Sequence, residues 1–130
     1  MIYLDTSALL KLVWVEDQSD ALRAFLEGTG HEPMVSSRIL TIEIRRAVRR
    51  SAPDLMPRAD LLVTQVGQLG LSHAVVESAS RLPDPTLRSL DAIHVATALV
   101  LAEEVSAFVT YDKRLFATAQ ALRLPAVAPS

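Results

Sequence analysis

The sequence predicts an α/β fold in which a central parallel sheet of four to five strands carries helices on both faces. Short apolar runs alternate along the chain with segments of helical periodicity, and this alternation is typical of parallel sheets. Half of the residues are hydrophobic, which is sufficient for a sizeable core. No linker, repeat or low-complexity segment divides the 130 residues, so we expect a single domain spanning residues 1–130.

The first half of the chain is predicted to contain two strands and four helices. Apolar residues recur three and four positions apart in the helical segments and form continuous short runs in the strands. Gly28 ends one helix and Pro53 breaks another, as these residues commonly do. The elements are a strand at 2–5, helices at 6–15 and 18–27, a strand at 33–37, and helices at 38–50 and 54–67.

The second half begins with an ambiguous stretch at 68–73, which could form a third, short strand. Pro83 and Pro85 then interrupt the chain before a helix that is apolar nearly all round, a pattern typical of a helix buried on several sides. The remaining elements are helices at 74–81 and 87–103, a strand at 107–111, a helix at 113–122 and a final short strand at 125–128.

Composition limits the environment in which the protein works. The chain has no cysteine, which excludes a disulfide framework and a thiolate metal site and favours a reducing compartment. It shows no signal peptide, and no apolar run reaches the roughly 18 residues that a membrane span needs. We therefore expect a cytoplasmic protein with no membrane partner.

The charge is unevenly distributed. A formal net charge of -2 is not typical of a general nucleic-acid binder. Five arginines nevertheless lie within 13 residues, and their planar guanidinium groups suit phosphate. Four of them are candidate contacts to RNA or to a partner protein: Arg38, Arg45, Arg46 and Arg49. The last three fall in the final turns of the helix predicted at 38–50, where cations are favourable in any case.

Two acids are expected at the same edge of the sheet. Asp5 and Asp112 each follow an apolar strand and precede a helix. Sites in parallel sheets form outside the carboxyl ends of the strands, so both side chains are candidates for such a site. Aspartate is also a favoured helix N-cap, and for either residue alone capping is the simpler interpretation.

Two further acids lie on predicted helices. Asp91 falls near the start of the most apolar helix, where a buried carboxylate needs partners or a metal and where the helix dipole favours its ionised form. Capping is the alternative. Glu43 lies at the edge of an apolar stripe, and its alternative is an ion pair with Arg46 or Arg50.

Taken together, the four acids indicate a cation site. Carboxylate oxygens suit Mg²⁺ or Mn²⁺. Without a cation, clustered carboxylates repel one another and raise one another's pKa values. A divalent metal relieves that repulsion and can activate water against a phosphodiester.

Four stretches of the chain each surround one of these acids. They are Met1 to Leu12 around Asp5, Ser37 to Ala47 around Glu43, Leu87 to Ala98 around Asp91, and Phe108 to Leu115 around Asp112. In this order they resemble the acidic motifs of the PIN-domain nucleases, and the compact length is similar to that of the VapC toxins of bacterial and archaeal toxin-antitoxin pairs. Residues 51–85 match nothing specific, and substrate choice could lie there.

The resemblance implies an α/β/α sandwich and a ribonuclease that depends on Mg²⁺ or Mn²⁺. The metal pocket would be formed by four acids: Asp5, Glu43, Asp91 and Asp112. Of these, Asp5 and Asp91 are the first candidates for direct ligands, and Glu43 and Asp112 could act through water or by orienting the nucleophile. It also implies a homodimer and a VapB-like antitoxin whose C-terminal segment lies near the acids. Hydroxyls that would support the ligands are those of Thr6, Ser7 and Thr110.

Other interpretations remain open at this point. A receiver-like Mg²⁺-binding module also gathers acids at strand ends, and a PIN nuclease without an antitoxin is a further alternative. His94 shares a helix face with Asp91, but a histidine that is hydrogen-bonded in the core is the favoured interpretation. His31 and His73 are expected to face solvent. Trp14, near the end of an apolar helix, is either core or part of a groove for a partner helix.

Overall fold

Five parallel strands form one sheet at the centre of the protein, as a computed structural model covering residues 1–130 describes it. The predicted fold class is confirmed, with the higher of the two strand counts. The order across the sheet is β3-β2-β1-β4-β5. The strands are β1 (Ile2–Leu4), β2 (Met34–Ser37), β3 (Gly67–Leu69), β4 (Ala107–Val109) and β5 (Ala126–Val127).

Seven α-helices cover the two faces of this sheet, with short 3-10 turns at Pro53–Leu55 and Ala102–Glu104. None of them is long and apolar enough to cross a membrane. The helices are α1 (Thr6–Val13), α2 (Ser19–Gly28), α3 (Ile39–Ser51), α4 (Met56–Thr64), α5 (His73–Ser80), α6 (Ser89–Leu101) and α7 (Lys113–Ala121).

Strand β1 separates two hydrophobic cores, because successive side chains of a strand point to opposite faces. Ile2 and Leu4 pack in the core beneath α1, α3 and α4. Tyr3 packs in the other core with Phe108 of β4 and with side chains of α6 and α7. All three residues of β1 are buried, which explains why this strand is a continuous apolar run rather than an alternating pattern.

Several predicted boundaries are wrong. The segment predicted as one helix at 54–67 begins in a 3-10 turn and continues as α4, which ends at Thr64. Gly67, predicted as the last residue of that helix, is instead the first residue of β3. Helical periodicity gives way here because the backbone from Gly67 pairs with Val35 of β2. This pairing resolves the ambiguous stretch at 68–73 in favour of a strand.

Helices α1 and α6 are also shorter than predicted. Helix α1 ends at Val13 rather than at residue 15, and Val15 is 83% exposed. Helix α6 begins at Ser89, and it is less completely buried than predicted, since the side chains of Leu90 and Val100 are 48% and 43% exposed. Trp14, just after α1, is half-buried against the first core.

Candidate active site

Asp5 lies at the carboxyl end of the central strand and is almost completely buried, at 3% exposure. Its Oδ1 accepts hydrogen bonds from the backbone nitrogen of Ala8 at 2.9 Å and from Ser7 Oγ at 2.6 Å. Its Oδ2 accepts one from Thr110 Oγ1 at 2.5 Å. Asp5 is therefore the N-cap of α1, as the simpler interpretation held, but capping uses only one of its two oxygens.

Thr110 connects Asp5 to the segment that carries Asp112. While its hydroxyl donates to Asp5, it accepts from the backbone nitrogen of Asp112 at 3.1 Å. Asp112 in turn caps α7, where its Oδ1 accepts from the backbone nitrogen of Leu115 at 2.9 Å. The parallel pairing of Leu4 with Val109 brings the ends of β1 and β4 side by side. Sheet register thus brings the first and last acids to one edge.

Glu43 of α3 faces the same edge. Its Oε1 accepts hydrogen bonds from Thr6 Oγ1 and from His94 Nε2, both at 2.7 Å. The alternative of an ion pair with Arg46 or Arg50 is wrong, since neither arginine contacts it. Burial alone would raise the pKa of Glu43, but the hydrogen bond and charge of His94, with a second hydrogen bond from Thr6, hold that pKa below its ordinary value.

Asp91 lies in the first turn of α6 and accepts no hydrogen bond from the chain. Burial raises its pKa, and the negative charges of Asp112, Glu43 and Asp5 raise it further, against a lowering influence of His94. The pKa of the buried Asp5 is raised as well, chiefly by its burial. All four acids lie close enough to influence one carboxyl group.

The four carboxylates retain oxygen lone pairs that no protein donor fills. Oδ2 of Asp5 keeps one free lone pair, and Oε2 of Glu43 and Oδ2 of Asp112 accept no hydrogen bond from the protein. Neither oxygen of Asp91 accepts one. As the side chains stand, no three of them are grouped tightly as a finished metal centre. Unfilled oxygens and mutual repulsion are nevertheless what an oxygen-ligated divalent cation would relieve, so the donor set fits Mg²⁺ or Mn²⁺.

Comparison with known proteins identifies the family. The PIN domain matches residues 2–121. The chain is 39% identical to Ribonuclease VapC35 of Mycobacterium tuberculosis, in an alignment 131 positions long that covers 99% of this chain and 97% of the relative. The chain belongs to the PIN-domain family, among the VapC ribonucleases. It is also 42% identical to Ribonuclease VapC47 of the same species, over 88% of this chain and 87% of the relative.

The fold of this PIN-domain chain also matches a solved structure, described as a toxin-antitoxin complex from Klebsiella pneumoniae. The TM-score is 0.76 at 20% sequence identity, and the match covers 100% of this chain and 98% of the other. At that identity the likeness shows the fold, which agrees with the sandwich implied by the sequence motifs.

The predicted arginines of this PIN domain lie outside the cluster of acids, in two different situations. Arg38 and Arg45 are held by neighbours, since Arg38 donates to Gln68 at 3.3 Å and Arg45 to Asp60 at 3.0 Å. Arg46 and Arg49 are exposed on α3 and form no ion pair. Arg46 is three residues after Glu43, so the two side chains share a helix face.

His94 is the residue whose surroundings the sequence did not reveal. It is buried in the PIN domain as expected, but it is also bonded to Glu43 and to Tyr3 of β1. Its spacing from Asp91 was the one available signal. Tyr3 carried none, because an aromatic residue in a buried strand is ordinary core. His31 and His73 are exposed, as predicted.

Replacing Asp91 by asparagine is expected to stabilise this PIN domain at neutral pH in the absence of metal. The folded-state pKa of Asp91 is raised, so the charged carboxylate is less favourable in the folded protein than in the unfolded chain. Below the ordinary aspartate pKa of about 3.9 both states are protonated and the variant gains little. As pH rises through the raised pKa, the wild type loses stability relative to Asp91→Asn.

Urea unfolding of both proteins in EDTA, between about pH 4 and pH 7, measures this difference. The matched control is Asp54→Asn, which removes an exposed carboxylate in the 3-10 turn. A difference between the Asp91 variant and wild type that stays constant across the range would contradict the raised pKa.

Proposed function

We propose that this chain is a Mg²⁺- or Mn²⁺-dependent endoribonuclease that acts in the cytoplasm as the toxin of a VapBC-type pair. One observation carries the proposal: four carboxylates from four different segments face one edge of the sheet, each with an unfilled lone pair. Burial raises the pKa of Asp91, and the charges of the other three acids raise it further. The ribonuclease names of the relatives support RNA as the substrate.

Asp5 and Asp91 are proposed as the direct ligands. Asp5 has the most rigid carboxylate of the four, since three hydrogen bonds fix it and leave one lone pair on Oδ2. Asp91 has no competing donor at all. Glu43 and Asp112 each keep one oxygen for a water molecule or the nucleophile, while the other oxygen is held by the protein.

Hydroxyl groups hold these carboxylates in place. Thr6 donates to Glu43, and Ser7 and Thr110 both donate to Asp5. Because these bonds exist before a ligand arrives, the oxygens need little rearrangement to bind a cation. When bound, the cation would supply charge for the phosphate and activate a water for attack on the phosphodiester.

Exposed arginines on α3 are proposed to contact the RNA backbone. Arg46 and Arg49 are free of intramolecular ion pairs, and Arg46 shares a face with Glu43. Arg38 and Arg45 would have to exchange their present partners for phosphate. An acidic segment of an antitoxin could contact the same arginines, so RNA affinity and antitoxin affinity are separate measurements for each variant.

A VapB-like antitoxin and a homodimeric state complete the proposal. The structural relative from Klebsiella is described as a toxin-antitoxin complex, which supports a protein partner. We propose that the antitoxin's C-terminal segment lies near the acids and places an arginine among them. A PIN nuclease without an antitoxin is the competing function, and a small neighbouring open reading frame whose product neutralises this chain would decide between the two.

The purified protein is expected to open a circular RNA in the presence of Mn²⁺ and to lose that activity in EDTA. A circle has no ends, so only an endonuclease can linearise it, and cleavage should need the cation that the acids hold. Denaturing gels before and after chelation, and after Mn²⁺ is restored, measure the effect. Undiminished cleavage in excess EDTA would show that the acids do not work through a metal.

A further inference from the structure

His94 is buried among the acids, and the chemistry proposed above gives it no role. It lies on α6, one turn after Asp91. Its two ring nitrogens contact different elements: Nδ1 is 2.7 Å from Tyr3 Oη of β1, and Nε2 is 2.7 Å from Glu43 Oε1 of α3. One imidazole ring therefore connects α6 to both the central strand and an acid of the site.

The direction of the hydrogen bond to Glu43 is fixed by its acceptor. A carboxylate only accepts, so His94 Nε2 must carry the hydrogen that it donates to Glu43. At the other end, the backbone nitrogen of Ser37 donates to Tyr3 Oη at 3.1 Å. Burial raises the pKa of Tyr3, so its hydroxyl keeps its proton, and one hydrogen joins Oη to Nδ1 whichever of the two atoms carries it.

These hydrogen bonds restrict the carboxylate of Glu43. Its Oε1 is saturated by two donors, Thr6 and His94, which leaves Oε2 as the oxygen available to another ligand. A single bond from Thr6 would let the carboxylate swing about its side-chain torsions. The second bond, from a ring that is itself held by Tyr3, restricts that movement.

We propose that His94, anchored by Tyr3, is a positioning residue that presets the carboxylate of Glu43 for the divalent cation. The inference rests on the proposed metal-dependent function and adds to it a residue that touches neither the cation nor RNA. Groups that orient ligands in this way typically alter metal affinity by about 10–100-fold when they are removed.

Two substitutions at His94 separate positioning from packing. The amide nitrogen of His94→Gln reaches the place of Nε2 and can still donate to Glu43, whereas that of His94→Asn lies nearer Nδ1 and cannot. Both lose the aromatic ring that packs edge-on against Tyr3 at 5.8 Å between centroids. Val95→Ala is the matched control, because it truncates a fully buried neighbour on α6 that packs in the second core.

Isothermal titration calorimetry of Mn²⁺ into the metal-free proteins, with a thermal midpoint for each, tests the proposal. His94→Asn should bind Mn²⁺ about 10–100-fold more weakly, and His94→Gln should stay close to wild type despite a similar loss of thermal stability. Val95→Ala should lose stability and keep its Mn²⁺ affinity.

The outcomes distinguish this inference from the function on which it rests. If wild type and both His94 variants bind Mn²⁺ equally, the positioning role is wrong and the proposed function stands. Affinities that follow the thermal midpoints, including that of Val95→Ala, would likewise overturn it. If wild type binds no Mn²⁺, the proposed function fails and the positioning role fails with it.

Discussion

Asp5→Asn is expected to reduce RNA cleavage by about 100-fold or more, which is the scale on which a preorganised electrostatic group contributes to catalysis. Asp5 is the most buried of the four acids and presents its remaining lone pair from a carboxylate fixed by three donors. Asparagine has nearly the same shape but carries no charge, so it would weaken the hold on a divalent cation.

The folded structure should tolerate this substitution. Asparagine is as good an N-cap as aspartate, and its carbonyl oxygen can accept from Ala8 and Ser7 as the Asp5 Oδ1 does. Its amide would face Thr110 Oγ1, a hydroxyl that can accept as well as donate. Because burial raises the pKa of Asp5, removing its charge takes away a desolvation penalty rather than a stabilising ion pair.

Cleavage rates of a defined RNA in Mn²⁺, together with growth after induced expression, measure the loss. The control variant is Asp54→Asn, which neutralises an exposed aspartate of the 3-10 turn. If the Asp5 variant cleaves RNA and arrests growth as wild type does, Asp5 is only the cap of α1.

Much of this site was predictable because its acids follow strong local signals. Asp5 and Asp112 come directly after or near the end of apolar strands, and strand ends of a parallel sheet meet at one edge. Glu43 and Asp91 were indicated by their places beside apolar residues on predicted helices, and the motifs around all four acids agreed. The sequence could not show whether Asp5 and Asp112 cap helices or belong to a cation site. The structure explains why, since each residue caps a helix with one carboxylate oxygen and can still accept a ligand on the other.

What the sequence did not reveal depends on contacts between distant segments. The bond of Tyr3 to His94 joins residues 91 positions apart, and that of His94 to Glu43 joins residues 51 apart. Neither residue type nor spacing along the chain encodes such a pair. The same holds for β3, whose three residues become a strand because β2 offers them a partner edge.

Phe108→Ala is expected to lower the free energy of unfolding by about 3–5 kcal/mol. Phe108 is fully buried in β4, and its ring stacks on that of Tyr3 with centroids 5.0 Å apart and planes 9° from parallel. Truncation would leave a cavity between the sheet and α6, which the surrounding helices cannot fill without moving. The free energy of unfolding of a native protein is about 5–15 kcal/mol, so this loss is a large share of the total stability.

Urea denaturation of the metal-free protein measures the change, with Phe116→Ala as the matched control. Phe116 is half-buried on α7 and borders an open cavity, so its truncation exposes the site to water instead of creating an enclosed void. Its effect should be clearly smaller. Equal losses for the two variants would mean that the stack on Tyr3 adds nothing to the second core.

Phe108→Ala should also weaken cation binding by the acids. Phe108 is the register partner of Tyr3, and its ring covers one face of the tyrosine whose hydroxyl holds His94. A Phe108→Ala protein, measured at a temperature where it remains folded, should therefore bind Mn²⁺ more weakly than Phe116→Ala. Unchanged affinity would show that the two hydrogen bonds alone orient the imidazole and that the core beneath it contributes stability only.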